Sequence, residues 1–92
     1  MASQPLTSLT KDTYTKVLTN VTYKGQVHIV DFSLDTKPTK YLVAFVDTGD
    51  TKPADDFDGG VEFSESFAPT NATASDYYVM PVDYDGLVEI IA

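Results

Sequence analysis

The sequence predicts an all-β domain: a small antiparallel β-sandwich or partly open barrel of six strands, preceded by an extended N-terminal arm. Three observations carry this expectation. Apolar and polar residues alternate with a period of two along most of the chain, which is the pattern of half-buried strands. Twelve Thr, many Val and eleven aromatic residues favour extended backbone. Short links rich in Gly, Pro and Asp punctuate the apolar runs, and no apolar series at helical spacing lasts three turns.

Residues 1–12 are rich in Ser and Thr, have weak periodicity and read as the arm, with Leu6 and Leu9 as its only strong apolar anchors. Residues 13–92 read as a single β domain. Its first strand runs from Tyr14 to Tyr23, with Thr15, Val17, Thr19, Val21 and Tyr23 on one face. Lys24-Gly25 then suits a short hairpin into a second strand, Gln26 to Leu34. There His28, Val30, Phe32 and Leu34 share one face, and Val27 and Ile29 the other. Asp35-Thr36-Lys37-Pro38 breaks the pattern, since the residue before Pro prefers extended geometry. Lys40 to Asp47 contains Tyr-Leu-Val-Ala-Phe-Val, a run suited to burial on both faces. The longest loop follows, residues 47–60, with five Asp and three Gly. Three more strands complete the set: Val61 to Phe67, Asp76 to Val82, and Gly86 to Ala92. Pro81 inside the fifth points to an edge position or a bulge. Asp85-Gly86 suits a tight turn with positive φ before the sixth.

Ninety-two residues allow one small domain and exclude two-domain enzymes. Six Lys, no Arg and fourteen acidic residues give a net charge of -8. That balance argues against nucleic acid as a direct partner, because phosphate binding needs cations, and against anionic membranes. No apolar stretch approaches the roughly 18–20 residues of a spanning helix, and the first ten residues lack the features of a signal peptide. With no Cys, there are no disulfides, thiolate metal sites or thiol nucleophiles. Asn20-Val21-Thr22 and Asn71-Ala72-Thr73 fit the glycosylation pattern and, with no signal peptide, read as chance matches.

Phe45-Val46-Asp47-Thr48-Gly49 resembles the active-site signature of aspartic proteases, in whose retroviral-type members two chains each supply one Asp. Asp50 stands where that family places Ala or Ser, the motif falls at mid-chain, and no second signature follows. A strand ending in a turn is the better reading. Asp50, Asp55, Asp56 and Asp58 offer oxygen ligands for Ca²⁺, but no acidic residue falls at the twelfth position of an EF-hand loop. A solvated acidic loop is preferred. His28 has no Ser and Asp partners defined by the sequence, so it reads as a core-edge or interface residue. Of the paired Tyr77 and Tyr78, one is expected in the core, and the other with Tyr84 could form an aromatic patch.

The second half of the chain carries an ordered set of turn and strand residues. Lys52-Pro53-Ala54 leads through an acidic turn to Gly60 and the strand Val61-Glu62-Phe63. A Thr/Ser-rich spacer leads to Asp76-Tyr77-Tyr78-Val79 and then Gly86-Leu87-Val88-Glu89-Ile90. With the upstream Gly25-Gln26-Val27-His28-Ile29, this pattern over residues 24–91 resembles small structural proteins of tailed bacteriophage virions. The resemblance implies a capsid decoration (cement) protein or a tail-associated component. Such a protein is non-enzymatic, needs no cofactor or metal, resides in the virion, forms a homo-oligomer and binds other virion proteins such as the major capsid protein. The arm, with Leu6, Leu9 and Tyr14, is the expected docking surface, and its removal up to residue 12 is expected to spare the fold. The alternative is a carbohydrate-binding β module using exposed Tyr and the acidic loop, with or without Ca²⁺.

Overall fold

The computed structural model describes residues 6–22, 27–56, 61–63, 66–67 and 73–91. The chain forms two antiparallel sheets facing each other as a sandwich. Eight strands build it: β1 (Thr7–Leu9), β2 (Thr15–Val21), β3 (Val27–Asp31), β4 (Lys40–Asp47), β5 (Val61–Phe63), β6 (Ser66–Phe67), β7 (Ser75–Val82) and β8 (Gly86–Ile91). All six expected strands are present, with Val61 to Phe67 divided into β5 and β6. The additional strand, β1, lies in the arm. One sheet has the order β1-β8-β3-β6 and the other β2-β7-β4-β5.

The period-two pattern does its work most cleanly in β3 and β8. Val27, Ile29, Val88 and Ile90 point inward and are buried, joined by Leu9 from β1. From the opposite sheet, Tyr41 and Val43 of β4 and Tyr77 and Val79 of β7 meet them. Burying such side chains contributes roughly 1.5–3 kcal/mol each relative to exposure. As the double-sided apolar run implied, β4 also buries its other face. Ala44 packs with Tyr14, Tyr78 and Met80 in a second cluster, flanked by Leu42, Val46 and Val82.

Four local expectations are corrected. In β2, Val17 and Leu18 are both buried while Thr19 is exposed. The β2–β7 register slips between Lys16 and Leu18 and again before Val21, so bulges break the alternation. The strands on either side of Lys24-Gly25 lie in different sheets, so they form no hairpin; Lys24 and Gly25 themselves lie outside the described residues. Pro81 sits in a central strand. The β2 ladder, however, ends at Thr15↔Val79, and the Pro81 carbonyl accepts from the Asp12 N–H at 2.7 Å. A strand residue's N–H and C=O point to the same side. The missing donor of Pro81 therefore faces away from β4, where no ladder bond is lost.

The fourth concerns Asp85-Gly86. Positive φ falls on Asp83, at 77°, not on Gly86. Gly86 opens β8, and a Cβ there would lie 2.9 Å from the Tyr41 hydroxyl oxygen and 3.3 Å from its Cε1. The glycine makes room for a buried tyrosine on the facing sheet. All three described non-glycine residues with positive φ are Asp12, Asn20 and Asp83, the residue types that tolerate this region best.

Candidate functional site

The outward face of the β1-β8-β3 sheet exposes apolar side chains. On β3, Val30 is 36% exposed, and Phe32 just beyond the strand is 45% exposed. Register places Val30 opposite Glu89 and His28 opposite Ile91, and the Phe32 N–H donates to the Leu87 carbonyl at 2.7 Å. Leu87, Glu89 and Ile91 are half-buried and alternate with the inward Val88 and Ile90. Leu6, on the residue before β1, is exposed. Val30, Phe32, Leu87, Ile91 and Leu6 thus form an apolar surface around one carboxylate, Glu89. Clustered exposure of this kind marks interaction sites more often than scattered apolar residues do.

At one end of this face an open groove of about 490 Å³ lies between two turns, lined by Leu34, Asp35, Tyr84, Asp85 and Leu87, with Leu9 beneath. The first turn is held by Asp31 and Ser33. The Ser33 N–H donates to Asp31 Oδ1 at 2.7 Å, and the Leu87 N–H donates to Ser33 Oγ at 3.1 Å. The Tyr41 hydroxyl donates to Asp31 Oδ2 at 2.7 Å, and Lys37 Nζ lies 3.7 Å from Oδ1. Burial opposes the ionisation of Asp31, but the hydrogen bonds from Ser33 and Tyr41 and the charge of Lys37 outweigh it, holding the carboxyl below its ordinary range. Burial, then the Asp31 hydrogen bond and charge, push the Tyr41 phenol well above its ordinary value. The second turn is tied to the arm: the Lys11 N–H donates to Asp85 Oδ1 at 2.8 Å, and the Asp83 N–H to Asp12 Oδ1 at 3.1 Å.

The expected docking residues are separated by this geometry. Leu6 is 57% exposed on the apolar face. Leu9 is 2% exposed in the inter-sheet core, and Tyr14 is 1% exposed in the second cluster. These two side chains are occupied within the chain itself and offer no surface to a partner. Because β1 pairs with β8 from Thr7↔Val88 to Leu9↔Gly86, the arm is part of the body, and cutting at residue 12 would remove a core side chain.

Asp47-Thr48-Gly49 forms a turn. The Asp50 N–H donates to the Asp47 carbonyl at 2.9 Å, and Gly49 takes φ 87°, the demand of a type II third position. The residue organising this region is Asp76, whose importance its sequence position does not reveal. It is buried, accepts from the Asn20 N–H at 3.0 Å and the Gly49 N–H at 3.2 Å, and lies 3.4 Å from Lys16 Nζ. The two backbone donors, Asn20 first, outweigh burial and with Lys16 hold its carboxyl below the usual range. Asp55 likewise accepts from the Tyr14 N–H at 3.1 Å and pairs with Lys52, and its carboxyl too is lowered, chiefly by that backbone bond. Among the described residues no three His, Cys, Asp or Glu side chains gather to hold a metal ion; Asp58 lies outside them. Tyr77 and Tyr78 are both buried, and of the expected aromatic patch only Tyr84 is exposed. His28 is exposed on the apolar face. No helix among the described residues is long and apolar enough to cross a membrane.

No family model, no curated protein and no solved structure matches this chain.

Proposed function

We propose that the chain is a non-enzymatic structural protein of a virion, of the decoration or tail-associated kind, that docks on another virion protein through the outward face of the β1-β8-β3 sheet. The observation supporting this reading is the apolar surface of Leu6, Val30, Phe32, Leu87 and Ile91 around Glu89. The fitting partner is an apolar protein surface carrying a basic residue opposite Glu89, since the chain as a whole bears a net charge of -8. Two copies meeting face to face would bring their Glu89 carboxylates together. The oligomer expected of such a protein is therefore better formed through other edges.

The test is co-sedimentation of the purified chain with particles assembled without it. The wild-type chain should saturate the particles at a fixed copy number, and a Val30→Lys/Phe32→Asp variant of unchanged melting temperature should stay in the supernatant. Absence of saturable binding, or equal binding by the variant, refutes the reading. Sedimentation equilibrium of the free chain tests the oligomer, which a persistent monomer would remove.

A further inference from the structure

We infer that the groove between the turn at residues 33–36 and the turn at residues 83–86 receives a basic side chain, Arg or Lys, from an extended segment of the partner. This inference deepens the docking reading and rests on it for the partner's nature. The groove opens beside the apolar face and shares Leu87 with it, so one ligand can occupy both. Its charge is one-sided: Asp35 and Asp85 line it, and no Lys does among the described residues. The nearby Lys37 is drawn to Asp31 at 3.7 Å. Asp85 spends Oδ1 on the Lys11 N–H, and Asp35 has no partner among the described residues. A ligand that neutralises these carboxylates must bring a cation.

The rest of the lining suits the body of such a side chain. Tyr84 is 44% exposed and lines the groove, and an aromatic ring can hold a cation over its face. Leu34 is 93% exposed and does nothing for the chain's own core. It can cover the alkyl stem that Lys and Arg bury when their heads are held elsewhere. Arg fits best, because its planar fork both stacks on an aromatic ring and pairs with carboxylates. A neutral sugar would use the ring and the carboxylates as acceptors, but it would leave the negative charge of the groove uncompensated.

The test is a titration of the ¹⁵N-labelled full chain, followed by NMR, with the peptide acetyl-Leu-Arg-Leu-amide. The controls are acetyl-Leu-Gln-Leu-amide and methyl α-glucoside. The Arg peptide should shift the amides of residues 33–36 and 84–87, and the Gln peptide should not. The Asp35→Asn/Asp85→Asn variant should weaken binding about fivefold, as expected for two exposed charge pairs. Asn at 85 still accepts from the Lys11 N–H, so the turn is kept, and an unchanged melting temperature verifies it. Equal shifts with both peptides, shifts with the glucoside alone, or no shifts at these residues each overturn the inference; the glucoside result would favour a carbohydrate module instead. Loss of the peptide effect with particle binding intact would remove the groove and leave the docking face.

Discussion

Replacing Gly86 with Ala should push directly on Tyr41. The added Cβ would stand 2.9 Å from the Tyr41 hydroxyl oxygen and 3.3 Å from Cε1. Tyr41 cannot swing away freely, because it is buried and its hydroxyl donates to Asp31 at 2.7 Å. Overpacking of this kind costs about 1–3 kcal/mol. Tyr41→Phe removes the hydroxyl and a hydrogen bond to a charged group, which is worth about 1.5–3 kcal/mol. In the double variant the closest atom is gone, and the next approach, to Cε1 at 3.3 Å, needs only a small adjustment. The double variant should therefore lose less than the sum of the single losses, by at least about 0.5 kcal/mol. Chemical denaturation of the four proteins measures the cycle, and each 1 kcal/mol should also move the melting temperature by about 4–8 °C in a domain of this size. A neutral Gly86→Ala, or strict additivity, would show that Gly86 is not there to accommodate Tyr41.

The remaining predictions follow from the same contacts. Leu9→Ala should destabilise by about 2–5 kcal/mol, as for a fully buried leucine, and a chain starting at residue 13 should melt lower than the full chain; equal melting would mean that the arm is separable. Asp31, Asp55 and Asp76 have folded pKa values below their unfolded ones. Their contribution is whole above the unfolded carboxylate value of about 4 and is lost as pH falls through the folded values. The melting temperature should therefore drop steeply in that acid range, and Asp76→Asn should flatten the drop. Tyr41 is shifted upward, so its contribution is whole below about pH 10 and lost as pH rises above it; Tyr41→Phe should make that alkaline limb shallower. Asp47→Asn should change stability by less than about 0.5 kcal/mol, because Asp47 is exposed and its turn bond uses the carbonyl. A larger loss would mean that the carboxylate makes a contact of its own.

The strands were legible where a period of two is undisturbed, as at Val27 and Ile29, or where a run is apolar on both faces, as in Tyr41–Val46. The local pattern fails where strand pairing overrides it. Val17 and Leu18 enter the core together because β2 bulges against β7, and nothing in the local sequence distinguishes that from simple alternation. Gly86 carried a turn signal, yet its reason lies on Tyr41, forty-five positions earlier in the chain. The exposed face is partly legible: a period of two groups His28, Val30, Phe32 and Leu34, all exposed, but does not say which of two apolar faces meets the other sheet. Leu9 reads as a docking residue because the arm has few apolar residues, yet scarcity is also what makes it worth burying; Tyr14, just past the arm, is buried in the second cluster, which local sequence does not reveal. Asp76 precedes an aromatic pair in a strand and shows its role only when Asn20, Gly49 and Lys16 converge on it.

Among the described strands, the chain changes sheets at every link but the one from β4 to β5. That link makes the only pairing of consecutive strands among the described residues, and β1 pairs with the last strand, β8. Of the six ladders among the described residues, four need β7 or β8, so most pairing waits for the segment from Ser75 onward. These pairings are distant in sequence, so loop-closure entropy is lost before pairing returns it. Such a molecule is expected to fold in milliseconds to seconds rather than microseconds. Its apolar strands stay open to neighbouring chains for that interval, and six lysines against fourteen acidic side chains keep those neighbours apart by charge.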